Sequence, residues 1–370
     1  MIECLSTGRV YRNPKTYLRS RQAFHPSLVR LEDGELVCTF DIGEAVESLD
    51  YRTYLSRSSD GGRTWNFQGP LFEDRVDRRT SSSVRVSRMS DGALVAFGGR
   101  SYRDDPEEGV TNKATLGYVP MDLILLRSSD GGRTWDSPEV IDPPLVGPAF
   151  EVCHSVVELP NGRWLAPTST WRGWDGERPS GEKTVVLISE DRGRTWPRYG
   201  VCFDGSASGV IHWEVSVISP GGNRALAVAW AHDPQSGKNL PTPYALSEDG
   251  GLTFAPPGLT GLRGQTCKML SLDDGRILCA YRRDDRPGLW ANLSRLEGDA
   301  WVNEAELPLW GAHLGSSGMT GQAASAEELS SLKFGYPSMV RMLDREVLVV
   351  FWCLEDGTTN IRWLRLKIEG

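Results

Sequence analysis

The sequence predicts an all-β fold, a six-bladed β-propeller of four-stranded antiparallel blades whose ring is closed by the N-terminal strand. One observation is an eight-residue motif, S-x-D-x-G-x-T-[WF], that occurs at residues 58–65, 128–135, 189–196 and 247–254. The other is a longer repeat of an apolar strand, a turn and a second apolar strand, which recurs six times at spacings of about 50 to 65 residues. Repeats of this kind are typical of propellers, in which each unit is one small sheet.

The eight-residue motif has the composition of a hairpin turn. Each copy follows a run with strand character, such as Leu123 to Leu126 before the second copy. Its Asp caps backbone N–H groups, its glycines accept positive φ, and the final aromatic residue can pack under the turn. The motif resembles the Asp-box, or BNR repeat, of the sialidase superfamily. That resemblance implies a structural turn between the third and fourth strands of a blade, on the outer rim and far from the active site.

We expect residues 1–370 to form a single domain. The predicted blades cover approximately residues 24–75, 82–142, 151–204, 212–258, 264–308 and 334–370, and residues 1–12 complete the last blade. The fifth and sixth blades lack a recognisable copy of the motif. Six blades are also the sialidase fold, so the resemblance extends over nearly the whole chain. The segment from Ala312 to Leu332 is predicted to form a loop with a short helix that lies over the pocket.

The composition narrows the partners and the location. The formal net charge of −8 argues against a nucleic-acid partner, and no run of apolar residues is long enough to span a membrane. Residues Met1 to Arg9 lack the features of a secretory signal, and the seven cysteines are scattered without a C-x-x-C pair. These features predict a cytoplasmic protein. A homo-oligomer stays open, and no cofactor is expected.

The candidate site is the channel mouth, because the first strand of every blade lines the central channel of a propeller. Three of the five histidines fall on this ring, which is therefore unusually polar and titratable. The ring positions are His25; Arg78 and Arg79 with Ser81 to Ser83; Glu151 with His154; His212 with Glu214; Gln265 with Lys268; and Tyr336. His232, at the end of a second strand, is a further candidate. The ring histidines and a glutamate could also hold a metal ion, although no local spacing motif supports such a site.

The resemblance to sialidases implies roles for some of these residues. Sialidases use a tyrosine nucleophile activated by a glutamate, and Tyr336 to Met339 resembles the family's tyrosine motif. Glu151 and Glu214 are the candidates for the activating glutamate. A loop acid before the first Asp-box would match the acid/base, which makes Glu47 and Asp50 candidates.

The chain departs from the sialidases at the carboxylate clamp. The family has an arginine where this chain has Phe24, within Phe24-His25-Pro26-Ser27-Leu28. A phenylalanine cannot replace a bidentate guanidinium contact, so sialidase activity itself is not expected. Arg172, Arg282 and Arg283 lie at second-strand ends and are candidate substrate ligands, but they do not rebuild the clamp. The aromatic residues that could stack on sugar rings are Trp171, Trp174, Trp213, Tyr281 and Trp290.

Three functions stay open on this reasoning. The favoured one is a glycoside hydrolase with the sialidase fold that acts on a sugar or oligosaccharide other than sialic acid. In it, Tyr336 or a ring carboxylate is the nucleophile or base, and the ring histidines bind substrate. The second is a non-catalytic propeller that binds a carbohydrate or a protein. The third is a polysaccharide lyase with a histidine base and Tyr336 as the acid.

Overall fold

The computed structural model describes residues 1–314, 319–320, 323 and 325–370. Within these residues the strands form six antiparallel sheets, each with four strands along its main path. This arrangement is the six-bladed β-propeller that the sequence predicts. Among the described residues, no helix is long and apolar enough to cross a membrane.

The chain begins with β1 (Ile2–Tyr11), which belongs to the last blade. Blade 1 contains β2 (Gln22–Arg30), β3 (Leu36–Gly43), β4 (Arg52–Ser58) and β5 (Asn66–Pro70). Blade 2 contains β6 (Thr80–Arg88), β7 (Leu94–Tyr102), β8 (Met121–Ser128) and β9 (Glu139–Ile141). Blade 3 contains β10 (Ala149–Glu151), β11 (Val157–Glu158), β12 (Trp164–Trp171), β13 (Lys183–Ser189) and β14 (Arg198–Asp204).

The second half of the chain repeats the plan. Blade 4 contains β15 (Ile211–Ile218), β16 (Ala225–Asp233), β17 (Lys238–Asn239), β18 (Pro243–Ser247) and β19 (Gly258–Leu259). Blade 5 contains β20 (Gly264–Ser271), β21 (Ile277–Arg283), β22 (Leu289–Glu297) and β23 (Ala300–Trp310). After helix α1 (Ser325–Ser331), blade 6 contains β24 (Phe334–Arg341), β25 (Glu346–Glu355) and β26 (Thr358–Ile368).

The two ends of the chain close the ring. Strand β1 pairs antiparallel with β26, from Ile2 opposite Ile368 to Tyr11 opposite Ile361. The pairing covers the outer edge of β26, which would otherwise expose unpaired backbone groups. It confirms the predicted closure by the N-terminal strand.

The hydrophobic core lies between neighbouring blades. Phe40 of blade 1 packs in one buried cluster with Trp352 and Trp363 of blade 6. Strands β3 and β12 are buried along their whole length, because each blade is covered on both faces by its neighbours. The inner strands are therefore held in fixed positions around the channel.

Equivalent serines join the inner strands of neighbouring blades. In each case the hydroxyl of one inner strand accepts a hydrogen bond from a backbone N–H of the next. The pairs are Ser338 with Leu28 at 3.1 Å, Ser27 with Val86 at 3.1 Å and Ser216 with Met269 at 3.3 Å. These bonds align the strands, so that one residue position repeats around the channel from blade to blade.

The Asp-boxes are turn locks at the rim, as the resemblance implies. In the first copy, which lies between β4 and β5, Asp60 accepts hydrogen bonds from the backbone N–H groups of Arg63 and Thr64, at 3.0 Å each. The Ser58 hydroxyl accepts the N–H of Gly62 at 2.8 Å, and the Trp65 indole N–H donates to the Gly62 carbonyl at 2.9 Å. Gly62 has a φ of 91°, a backbone conformation that glycine adopts with little strain and that other residues rarely adopt.

Candidate functional site

A cavity of about 270 Å³ opens at one end of the channel. Its described lining combines aromatic side chains with polar and charged ones. The loop predicted over the pocket contributes Met319, Ala323, Glu328 and Leu329 to this lining, and α1 is the short helix within it. Residues 315–318, 321–322 and 324 of that predicted loop lie outside the described residues.

The inner strands place side chains in the cavity through a repeated backbone distortion. Strands β2, β15, β20 and β24 each carry a register shift at the same place. At each shift one residue has positive φ: His25 (49°), Glu214 (54°), Thr266 (51°) and Tyr336 (51°). Such a conformation costs about 1–3 kcal/mol for a residue other than glycine, and it is typical of functional sites. The first, second and fourth of these side chains line the cavity.

The bulges also hold two carboxylates. Glu214 Oε2 accepts the backbone N–H of Thr266 at 2.5 Å, and Glu151 Oε2 accepts the backbone N–H of Glu214 at 3.2 Å. Each carboxylate is thus anchored on the bulge of the next blade. Glu151 Oε2 also accepts the Ser169 hydroxyl at 3.2 Å, whereas Oε1 is buried with no hydrogen-bond partner among the described residues.

Glu214 is poised to hold a proton near neutral pH. Burial raises its pKa to about 7, and the negative charge of Glu151 adds to the increase, although Arg282 and Lys268 oppose it. A carboxyl group with a pKa in this range can donate or accept a proton at physiological pH.

Tyr336 lies beside two cations, Arg85 and Lys268. Its hydroxyl accepts a hydrogen bond from Arg85 Nε at 2.8 Å and donates one to the Cys153 carbonyl at 2.5 Å. The Lys268 ammonium lies 4.6 Å from the centre of its ring and also donates to the Cys153 carbonyl. Burial raises the pKa of Tyr336 well above its usual value. Among its described hydrogen bonds, none joins the hydroxyl to Glu151 or Glu214.

A second polar cluster surrounds His25. Its Nδ1 lies 2.8 Å from the Tyr51 hydroxyl and 3.6 Å from Asp41 Oδ2. Asp41 is fully buried and accepts hydrogen bonds from Arg85 Nη1 at 3.0 Å and from Ser83 at 2.7 Å. Burial by itself would raise the pKa of Asp41, but the nearby Arg85 charge and the hydrogen bonds outweigh it and lower that pKa. Burial lowers the pKa of His25, which favours the neutral imidazole.

Sequence reasoning missed Asp41, Tyr51 and Arg85. Arg85 occupies on β6 the position that Ser27 occupies on β2, because each residue precedes an equivalent donor, Val86 or Leu28. An alignment of the inner strands on their shared serine would therefore have placed Arg85 at the channel. Asp41 is a carboxylate inside a strand that is otherwise largely apolar, which is itself a signal of function. No pattern in the sequence distinguishes Tyr51.

The tryptophans of the described lining come from blades 3 and 4. The ring of Trp213 lies 5.2 Å from that of Trp171 and 4.5 Å from that of Trp230, measured between centroids. Trp171 and Trp213 are predicted sugar-stacking residues, and the structure places both on the cavity. Tyr281 and Trp290, on blade 5, instead pack in the core between blades 4 and 5. Trp174 is not among the described lining residues.

Four predicted ligands lie outside the described lining, and three of them, Lys268, Gln265 and Arg282, are buried. Lys268 lies against the Tyr336 ring, and His154 Nδ1 bonds to the Ser155 carbonyl at 2.9 Å. Gln265 donates to the Met319 carbonyl at 2.6 Å and accepts Arg282 Nη2 at 2.8 Å. These side chains support the lining and are not part of it among the described residues.

Five further predicted residues lie away from the lining, whereas Ser81, Ser82 and Ser83 are part of it. Their surroundings differ: Asp50 bonds to Ser48 in an exposed turn, Arg79 is exposed, Arg172 pairs with Glu182, His212 stacks on Phe203, and His232 bonds to Asn239. Glu47, the alternative to Asp50, does line the cavity. Of the predicted histidines, only His25 is therefore in the described lining. No group of three or more His, Cys, Asp or Glu side chains that could hold a metal ion occurs in the part of the chain that the structure describes.

Comparison with known proteins agrees with this architecture. The BNR repeat-like domain family matches residues 107–349. No curated protein matches the chain. A protein of unknown function from Dyadobacter fermentans superposes with a TM-score of 0.76 at 20% identity, over 100% of this chain and 99% of its own.

Two enzymes have the same fold. The intramolecular trans-sialidase from Ruminococcus gnavus, solved with oseltamivir carboxylate, has a TM-score of 0.65 at 13% identity and covers 95% of this chain and 96% of its own. The Trypanosoma rangeli sialidase in complex with sialic acid has a TM-score of 0.62 at 14% identity, over 98% of this chain and 59% of its own. At these identities the likeness concerns the fold alone. The match to more than half of the sequence shows that the chain belongs to the BNR repeat-like domain family.

Proposed function

We propose that this protein is a glycoside hydrolase that removes a single sugar residue, other than sialic acid, from the end of a glycan. The observation that carries the proposal is the pair of glutamates on the cavity. Glu214 has a pKa of about 7, and Glu151 lies beside it with one oxygen that has no partner among the described residues. Glycosidases use a protonated carboxyl as the acid and a second carboxylate as the base or nucleophile.

In this proposal Glu214 donates its proton to the oxygen of the leaving group. Glu151 then assists attack at the anomeric carbon, as a base for water or as the nucleophile. Trp171 and Trp213 contribute apolar surface to the lining against which a sugar ring can pack. A cavity of about 270 Å³ is small for a ligand site, which favours one terminal sugar over an internal segment.

The family's tyrosine mechanism receives less support. The Tyr336 hydroxyl is occupied by Arg85 and Cys153, and its raised pKa keeps it protonated. A tyrosine nucleophile would need a base in hydrogen-bond reach. We therefore assign Tyr336 to the floor of the site, with Arg85.

The test is hydrolysis of a panel of aryl glycosides and natural oligosaccharides. We expect turnover on at least one neutral glycoside, and a fall in kcat of about 100-fold or more for Glu214→Gln and for Glu151→Gln. Glu3→Gln, an exposed change on β1, serves as the control and leaves kcat unchanged. Equal activity in Glu214→Gln and the wild type would rule out the proposed acid.

A specific observation favours one other function, a lyase. The neutral His25 lies 2.8 Å from the Tyr51 hydroxyl, and a histidine beside a tyrosine can act as base and acid in β-elimination. A lyase would release an unsaturated product that absorbs ultraviolet light, and a hydrolase would not. A non-catalytic carbohydrate-binding propeller would give binding with no product of either kind.

The cytoplasmic location, the absence of a nucleic-acid partner and the oligomeric state stay predictions. Cell fractionation, a nucleic-acid binding assay and sedimentation would test them in turn.

A further inference from the structure

We infer that the sugar accepted by this cavity carries no carboxylate and binds instead as an uncharged donor of hydrogen bonds. The inference rests on the proposed function for its premise that the ligand is a sugar. It goes further by naming the chemical class of that sugar.

The charged lining is mainly acidic. Four glutamates line the cavity, namely Glu47, Glu151, Glu214 and Glu328, and Arg85 is the one arginine or lysine among the lining residues that the structure describes. The cavity therefore offers acceptors and negative charge to its ligand.

Two of the three guanidinium nitrogens of Arg85 are already engaged by the protein. Its Nε donates to the Tyr336 hydroxyl at 2.8 Å, and its Nη1 donates to Asp41 at 3.0 Å and to the Val84 carbonyl at 3.0 Å. A carboxylate is recognised best by two parallel N–H groups of one guanidinium. A ligand carboxylate would have to compete with the buried Asp41 for Arg85.

The other nearby cations, Lys268, Arg103 and Arg282, bond to the protein outside the described lining, and the Lys268 ammonium donates to the Cys153 carbonyl. Arg103 Nη1 donates to the Glu47 carbonyl at 2.9 Å, and Arg282 Nη2 donates to the Gln265 side chain at 2.8 Å. Both arginines are only 1% exposed. They offset the acidic charge, but they do not present a fork of donors to the cavity.

The unpartnered oxygen of Glu151 indicates that the ligand supplies a hydrogen-bond donor. It is a buried acceptor without a donor from the described residues, and such an atom is costly unless the ligand or a water supplies the hydrogen bond. A sugar hydroxyl is a suitable donor. A sugar carboxylate would instead bring a like charge to this place, which is unfavourable.

The experiment uses ligand pairs that differ in one group. Methyl glycosides of glucose and galactose are compared with those of glucuronic and galacturonic acid, together with N-acetylneuraminic acid, by isothermal titration of the full chain at pH 7.5. We expect at least one neutral glycoside to bind about tenfold or more tightly than its acidic counterpart. Equal or tighter binding of the acidic member, or of N-acetylneuraminic acid, would overturn the inference, as would no binding by any neutral sugar.

A variant locates the cause of the discrimination. Glu151→Gln removes one lining charge and keeps the shape, so the preference for the neutral member of a pair should shrink several-fold, while Glu3→Gln leaves it unchanged. An unaltered preference in a folded Glu151→Gln protein would contradict the electrostatic origin.

The result is separable from that of the hydrolase assay. Turnover of acidic glycosides alone would overturn this inference and leave the hydrolase proposal standing. Preferential binding of neutral sugars without any turnover would support this inference and contradict the hydrolase proposal. It would also weigh against a lyase, whose substrate must carry a uronate carboxylate.

Discussion

The rim and the channel of this propeller use repetition differently. At the rim, the four Asp-boxes repeat the same bond, in which a serine hydroxyl accepts a glycine N–H at 2.8 Å in every copy. At the channel, four inner strands repeat a backbone shape, a residue with φ near +50°, but place four different side chains at that position. The comparison shows that repeated bonds hold the blades, whereas the chemistry resides in what the repeat leaves free to vary.

The largest expected effect comes from breaking the buried ion pair at the channel. Arg85→Met leaves Asp41 buried without its cation and removes a donor from Tyr336, so the free energy of unfolding should fall by about 3–5 kcal/mol. Urea denaturation measures it. The matched control on the same strand is Arg88→Met, whose partner Glu32 is exposed and whose loss should cost less than about 1 kcal/mol. Equal losses in the two variants would show that the inner pair is not special.

The second prediction concerns the pH dependence of stability. The folded pKa of Glu214, about 7, lies above the ordinary 4.5. A raised carboxyl pKa contributes stability that is fully present below 4.5 and is lost as the pH rises through about 7. Between pH 5 and pH 8 the wild type should therefore lose about 2 kcal/mol more of its unfolding free energy than Glu214→Gln. Parallel pH curves for the two proteins would contradict the raised pKa.

The third prediction tests the rim. Asp60→Ala removes the acceptor for two backbone N–H groups and for the hydroxyls of Ser58 and Thr64, and it should reduce stability by about 1–2 kcal/mol. Asp136→Ala, an exposed change just after the second box, is the control and should have little effect. Sugar binding should be unchanged in both variants. A loss of binding in Asp60→Ala would mean that the rim and the channel are coupled.

The smallest effect is expected within the same turn. Trp65→Phe removes the indole bond to the Gly62 carbonyl but keeps an aromatic ring, and the fourth copy already has Phe254 at this place. We expect a loss of about 0.5–1 kcal/mol in urea denaturation. A loss as large as that of Asp60→Ala would show that the indole N–H, and not the Asp, is the main lock.

Prediction from the sequence succeeded where the structure depends on local patterns. The turn chemistry of the Asp-boxes and the alternation of strands and glycine turns predicted the propeller and the strand that closes it. The same reasoning placed His25, Glu151, Glu214 and Tyr336 at the channel, and all four line the cavity. It did not separate them from His212, which also lies at the start of an inner strand but stacks on Phe203 of the neighbouring blade.

The sequence by itself determined the repeat and therefore the blades, because each hairpin is specified by residues a few positions apart. Only the tertiary structure decided which side chains meet in the channel. Arg85 and Tyr336 are 251 positions apart, and Glu151 and Glu214 are 63 apart, yet each pair is joined by a hydrogen bond. Such contacts depend on the closure of the ring and on the bulges that turn single residues inward. Neither a composition nor a local spacing encodes these features.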